Sequence, residues 1–570
     1  MHRKLILFLI ILSNNSIASF FKEDECMQQT CFKVNKICQT TETTFCKNKS
    51  IFGKTFFSVR PQDSNSATEI LSLLDQRKPF NFTLSYQKSF QNNKLGEWFL
   101  FNGSDCMTVG IPSSTEIFDI DATQFGLSLG NNGLLPPSLK TGALGNFCLQ
   151  PQIKNYIFNF EYNFDLNNYY KGLWSRIAVP VVRTETELKV CSSGKGIDTE
   201  PFPAHLFSLP LFEQCPTTPV PYICIADALE GNKGFGSVPA LKYAKFPKNK
   251  QIKSGVAGVH FNLGCDAWRN ECSYLGFGIN IIAPIGNRPE GIYLLEPIIG
   301  ANHCWQLGGL LEFYKKLEVS NLKTAVYFYG TANHLFKTTQ SRTFALKNNA
   351  AGSQYLLLKK FDSSITSLDA IERVANILSG ETKINSSAML DASIMLQASY
   401  CKIFFNLGYN FWLRTKEKIN GNVCFTGFKE NIFGIKGSQP VSTEVNCSCP
   451  GIIVCEPNFS TASNSTIGKP AAADPVDPNG NPIPKLLTCN DIDFSAPLHP
   501  LAISNKIFGS IGYNFNLSKK NAYYWMTPFV PKCNDVCNKA YVLLSSAVEF
   551  GHNNSALNQW TITGKFGIEF

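Results

Sequence analysis

The chain has 570 residues, of which 17% are charged and 12% aromatic, with 45 Phe, 19 Tyr and a formal net charge of +9. A helical membrane protein needs apolar runs of about 18 residues or more, and a disordered chain lacks this aromatic content, so both classes are excluded. No long basic run accompanies the charge, which gives a weak bias toward anions and no sign of nucleic-acid binding.

Met1 to Ser19 reads as a secretory signal. His2, Arg3 and Lys4 supply positive charge, Leu5 to Leu12 an apolar core, and Ser16, Ile17 and Ala18 a small-residue cleavage site. Cys26 follows Asp24 and Glu25, not a lipoprotein attachment context. All 20 cysteines lie after the signal, an even number in an exported chain, which favours disulfides over thiol chemistry. Residues 19–80 form a cysteine-rich N-terminal segment. Its Cys26, Cys31, Cys38 and Cys46 match no tight zinc spacing and are read as disulfide cysteines. Within it Ser64 to Lys78 is expected to be helical, capped by Ser64 or Asn65, with Ala67, Ile70, Leu71 and Leu74 on one face. Such a helix ahead of the first strand can sit at a barrel base, plug a lumen or simply pack.

Strict alternation of apolar and polar residues then recurs from Phe82 onward. Tyr156, Phe158, Phe160, Tyr162, Phe164 and Leu166 alternate with amides and acids, and the period returns near Val259, Leu275 and Trp305. Its clearest instances are Ile403 to Leu413 and Ile507 to Leu517, which share Gly-Tyr-Asn-Phe at Gly408 to Phe411 and Gly512 to Phe515. Aromatics near turns, namely Tyr169, Tyr170, Trp174, Trp268, Trp412, Tyr523, Tyr524 and Trp525, suit interfacial girdles. Counting weak instances, the pattern predicts roughly 14 to 16 strands of an all-β transmembrane antiparallel barrel spanning residues 81–570. Three insertions interrupt it, at 184–253, 362–395 and 424–505, the second containing an expected helix from Ser367 to Gly380 with Ile371, Val374, Ile377 and Leu378 on one face.

No catalytic constellation stands out: there is no P-loop, no His-Glu-x-x-His and no Gly-x-Ser-x-Gly, and no metal or cofactor is expected. The polar faces instead offer charges for a lumen: Glu161, Asp165, Lys402, Arg414, Glu549, Lys565 and Glu569. Cys265 with Cys272 and Cys533 with Cys537 are candidate local bridges.

The last strand is the most informative. Trp560, Ile562, Gly564, Phe566, Ile568 and Phe570 share one face, with Thr561, Thr563, Lys565, Gly567 and Glu569 on the other. This ending resembles that of bacterial outer-membrane β-barrels of the porin or cysteine-rich major-outer-membrane-protein type. The resemblance implies an outer-membrane location and contact with the lipid bilayer. It further implies recognition of Trp560, Phe566 and Phe570 by the insertion machinery, assembly into homo-oligomers as is common among porins, and passive diffusion of small hydrophilic solutes. A plugged structural or surface-interaction barrel and a hydrophobic-substrate channel are the alternatives. Counting strands back from a periplasmic Phe570, with a turn at Ser518, places Asn420 to Asn505 at the periplasmic end, where barrel turns are short.

Overall fold

The computed structural model describes residues 30–33, 60–63, 65–73, 80–90, 100, 106–113, 115–127, 141–194, 222, 225–319, 322–362, 367–425, 427–441, 458–468, 474, 483–516, 539–552 and 556–568. The expected signal, Cys26, Cys38, Cys46, Leu74, Tyr523 to Trp525, Cys533, Cys537, Glu569 and Phe570 lie outside them.

Twelve strands form the body of the molecule: β1 (Phe80–Ser89), β2 (Gly142–Asp165), β3 (Leu173–Gly194), β4 (Gly258–Arg269), β5 (Ser273–Pro284), β6 (Gln306–Val319), β7 (Leu322–Leu335), β8 (Ala388–Tyr400), β9 (Ile403–Arg414), β10 (Ala502–Asn516), β11 (Lys539–Gly551) and β12 (Gln559–Ile568). Each pairs antiparallel with its neighbour in sequence. β12 returns to β1 with Phe80 opposite Ile568, which closes the barrel. Closure satisfies every strand edge, the condition for a sheet in lipid. The predicted count of 14 to 16 was too high because alternating stretches such as Val423 to Ile435 belong to small sheets outside the barrel.

The alternation decides which way each side chain points. Phe158, Phe160, Phe277, Ile279, Phe405, Leu407, Ile507, Ile511, Leu544 and Ile562 are all exposed on the outer wall. A continuous apolar belt of this kind is matched to a lipid surface and not to water. Their sequence neighbours Asn159, Glu161, Asn280, Asn406, Lys506, Ser545 and Thr563 are buried on the inner wall. Tyr169, Tyr170 and Trp268 stand exposed at one end, as a girdle requires. Trp174 and Trp412 are instead buried inside, because the period of two puts them on the inner face.

Connections 166–172, 270–272, 320–321 and 401–402 all lie at the end where β1 begins and β12 stops, here called the turn end. Long connections lie at the opposite, loop end. Asn516 pairs with Lys539, so residues 517–538 form one connection at the turn end. This corrects the strand count: the expected Ser518 turn was one reversal too many, and residues 420–501 belong at the loop end with the other insertions.

There the connections build a cap. One sheet orders Thr30–Lys33, Glu417–Phe425, Ser379–Ser386 and Thr338–Thr343, and another orders Ser367–Arg373, Leu357–Phe361, Phe433–Val441 and Asn458–Thr461. Phe344, Leu358, Val374, Phe425, Phe433 and Ile492 form a buried core beneath them. The expected helix at Ser367 to Gly380 is mostly strand, with one helical turn at Val374–Ile377, because Leu357 and Leu358 pair with Arg373 and Glu372 and this pairing overrides local propensity. β2 is 24 residues long, roughly 80 Å at about 3.3 Å per residue, so its upper half extends far beyond an apolar band of about 25 Å into the cap. β3 likewise runs to Gly194, into the span read as a loop from residue 184.

A single disulfide pair is resolved among the described residues, Cys106 with Cys148, which face each other where Cys106–Ile111 pairs with β2. Cys424 is also disulfide-bonded. Cys265 and Cys272 are free. Cys265 lies opposite Phe277 in the β4–β5 hairpin, five residues from Cys272, about 16 Å along a strand and beyond the roughly 7 Å that a disulfide can span.

Candidate functional site

The lumen is the site, and it is filled by the chain's own N-terminal segment. Thr30–Lys33 is paired into the cap, residues 60–73 lie inside the barrel, and β1 starts at the turn end at Phe80. The described residues 60–63 and 65–73 thus occupy the lumen between the cap and the turn end. Ser66–Glu69 is one helical turn capped at Asn65, continued by a tighter turn at Ile70–Leu73; the remainder of the expected Ser64 to Lys78 helix, residues 64 and 74–78, lies outside the described residues.

At its upper end Arg60 is the anchor. Its guanidinium donates to Glu549 at 2.7 Å, Asn410 at 2.9 Å and Ser504 at 3.2 Å, and lies 3.4 Å from Asp391. It also stacks 5.7 Å from the centre of the Trp412 ring. Glu549 is buried and further held by Lys506 at 3.0 Å, Ser504 at 2.6 Å and Gln559 at 2.8 Å. Ser66 donates to Asp391 from both its backbone N–H and its hydroxyl. These are charge-assisted bonds in a place with little water, the setting where they are strongest.

At its lower end the plug is held by apolar packing. Ala67, Ile70 and Leu71 join Trp174, Tyr274, Leu310, Tyr327, Tyr329, Phe404, Phe508 and Tyr541 in one buried cluster. Tyr541 donates to Asn81 Oδ1 at 2.7 Å with its oxygen also 3.3 Å from the Leu71 carbonyl, and the Lys565 ammonium donates to the Thr68 carbonyl at 3.2 Å. Room for these rings comes from glycines on the adjacent strand: Phe404 lies over Gly512, Phe508 over Gly408, Trp174 over Gly264 and Tyr541 over Gly567. The repeated Gly-Tyr-Asn-Phe is thus half of a reciprocal device, Phe404 opposite Gly512 and Phe508 opposite Gly408 in register.

Between the two ends Arg176 bridges Glu312 at 2.8 Å and Glu161 at 3.4 Å, sandwiched by the Trp174 and Tyr329 rings. A small cavity of about 30 Å³ remains beside the plug. Arg60, Asp63, Glu69, His260, Asn280, Asn333, Asp391 and Trp412 line it.

The sequence-derived candidates divide by place. Glu161, Glu549 and Lys565 are buried on the inner wall, paired as above. Arg414 is buried at the loop end, where it bonds Glu417 at 2.7 Å, so it belongs to the cap and not to the lumen. Asp165 and Lys402 are exposed in turn-end connections, Asp165 accepting from the Asn167 N–H to shape its turn. Both are removed from the lumen because β2 and β9 end at these positions. Trp560 and Phe566 are half-buried on the outer wall, Trp560 against Tyr86 at 5.3 Å. Residues that the sequence reading missed are Arg60, Asp63, Glu69, Arg176, Glu312, Asp391 and Lys506. Glu312 and Lys506 sit between outward Leu311 and Ile507 in good alternation and could have been found by the same rule; Arg60 and Asp63 sit in no periodic stretch.

No family model matches the chain, and no curated protein does. Solved structures that align with it include an outer-membrane channel from Pseudomonas putida F1, at 10% identity and a TM-score of 0.32 over 86% of this chain and 95% of that one. A Pseudomonas aeruginosa FadL homologue aligns at 8% identity and 0.24 over 92% and 97%. The CymD monoaromatic hydrocarbon channel aligns at 10% and 0.20 over 89% and 93%. At these scores the likeness adds no argument, and the site stands on its own geometry.

Proposed function

We propose that this chain is an outer-membrane channel for small hydrophilic solutes, with no enzymatic activity, in a state closed by its own N-terminal segment. The observation that carries the reading is the inner wall. On β1 alone Asn81, Thr83, Ser85, Gln87 and Ser89 face inward, and amides continue round the barrel at Asn159, Asn262, Asn280, Asn333 and Asn406. Folding does not need such a surface in a barrel filled by a plug, whereas a wetted pore does. Four short turn-end connections, against one long one at 517–538, and a folded cap at the loop end support an orientation with the cap outside and both Phe80 and Ile568 at the periplasmic face. Lipid and the insertion machinery are its expected partners, and like subunits a further one.

A second reading, a hydrophobic-substrate channel, is favoured by the aromatic cluster at the turn end. Liposome swelling separates the two. Faster swelling in arabinose or glycine for vesicles carrying an Arg60→Ala protein supports the hydrophilic route. Unchanged swelling together with faster uptake of an apolar probe would replace it with the second reading.

A further inference from the structure

We propose that the cavity beside the plug binds a small organic cation bearing N–H donors, a primary ammonium or guanidinium group, through Asp63 and His260. Of the charges that line it, Arg60 and Asp391 answer each other at 3.4 Å, and Asp391 is further satisfied by Ser66 and Asn410. Asp63 is different. It is 8% exposed, and among the described residues its contact within ion-pair range is the His260 ring, whose Nε2 is 3.8 Å from Oδ2. No hydrogen bond to this carboxylate is formed at that distance. His260 is 4% exposed, and its Nε2 has no hydrogen-bond partner although it faces the cavity. On the far side of the ring Nδ1 is 3.9 Å from Glu69 Oε1, again too far to bond.

Asp63 and Glu69 thus flank the imidazole, and since Glu69 has the Tyr329 hydroxyl as a partner, the open side is that of Asp63. A buried carboxylate without donors is costly, and so is a buried ring nitrogen without a partner. A cationic N–H group placed in the Asp63 gap answers both, donating one hydrogen to Oδ2 and another to the lone pair of a neutral Nε2, while Glu69 adds a second negative field. Among the described residues no group of three or more His, Cys, Asp or Glu side chains is arranged to hold a metal ion. That favours a ligand that supplies its own donors over one that needs a full coordination shell. The space open to the centre of a water-sized sphere is about 30 Å³, above the ~10–15 Å³ that one water needs, so a small ion such as methylammonium fits once it has shed most of its hydration water. Binding needs no open pore. Only its consequence, a preference for cations in transit, rests on the channel reading.

The test is titration calorimetry of the refolded full chain in detergent with methylammonium chloride, and with tetramethylammonium chloride, which has charge but no N–H. The expected result is saturable methylammonium binding, at least tenfold weaker for tetramethylammonium and at least tenfold weaker in Asp63→Asn. His260→Gln, which retains a donor and acceptor but not the ring geometry, is expected to weaken it likewise, and Glu187→Gln on the exterior to leave it unchanged. Heat-modifiable gel migration reports that each variant is folded, and His260→Gln serves if Asp63→Asn is not. Absence of saturable binding in the native chain, or equal binding in the folded variants, would overturn the proposal. Intact binding with no solute flux in any variant would instead remove the channel reading alone.

Discussion

Arg60 of the plug and Glu549 of the penultimate strand, 489 residues apart in sequence, meet at 2.7 Å inside the barrel with both side chains buried. The contact ties the N-terminal segment to the penultimate strand, so plug docking and barrel closure stabilise each other. Removing one partner of a buried ion pair leaves a charge without compensation, at a cost of about 3–5 kcal/mol. Lys506 stays 3.0 Å from Glu549, so Arg60→Ala is expected near the lower end, about 3 kcal/mol. Urea titration followed by tryptophan fluorescence measures it, through Trp412 beneath the guanidinium. A loss under about 0.5 kcal/mol, the scale of an exposed pair, would show that the latch is not formed.

Phe404 over Gly512 and Phe508 over Gly408 make a second prediction. A Cβ at Gly512 would collide with the Phe404 ring, and overpacking of this kind costs about 1–3 kcal/mol. Gly512→Ala is therefore expected to lower the heat-modification temperature. Adding Phe404→Ala should cost less in that background than alone, and additive losses in the double-mutant cycle would contradict the pairing.

The cap carries its own acid sensitivity. Burial alone would raise the Glu417 carboxyl, but Arg342, His499 and Arg414 hold it down at about 2. Because the folded value is depressed, this stabilisation is fully present above the ordinary carboxylate range near 4.3 and is lost as pH falls through about 2. Near-UV circular dichroism of the cap aromatics should therefore be steady from pH 7 to 5 and decline toward pH 2. Glu417→Gln is expected to remove that decline and to cost about 3 kcal/mol at pH 7, since it leaves Arg414 and Arg342 facing a neutral group.

Cysteine chemistry gives a direct check on the corrected pairing. Cys272 and Cys401 are exposed free thiols at the turn end, Cys265 is half-buried, and Cys304 is buried, its thiol pushed up to about 11 by burial. Maleimide should label Cys272 and Cys401 first and Cys304 last without prior reduction. Peptides linking Cys265 to Cys272 would restore the local bridge. The Cys106–Cys148 loop spans 42 residues, and by loop-closure entropy reduction should cost about 4 kcal/mol.

How far these features were legible follows from the periodicity itself. Where one face meets lipid, as from Ile403 to Leu413, the period of two is unbroken, and it places Glu161, Glu549 and Lys565 on the inner wall. Where a strand carries no apolar residue, as in Thr338–Thr343 of the cap, no apolar–polar alternation exists to mark it. The plug carries a third kind of signal. Ala67, Ile70 and Leu71 were read as one apolar face, yet nothing local to Arg60 or Asp63 tells of partners as distant as Glu549 and His260, because those contacts exist only once the barrel closes. The 420–505 difficulty arose from one assumed reversal at Ser518, which the Asn516 to Lys539 pairing removes.

The most direct test of the central claim is single-channel conductance in a planar bilayer, comparing the native chain with Arg60→Ala combined with Ser66→Ala, which removes the guanidinium contacts to Glu549 and Asp391 and the Ser66 hydroxyl bond to Asp391, leaving only the backbone N–H of residue 66. The account predicts a largely silent native protein and stable ohmic steps from the double variant. A folded, inserted double variant that stays silent would contradict it, and the barrel would then be a closed structural element of the envelope.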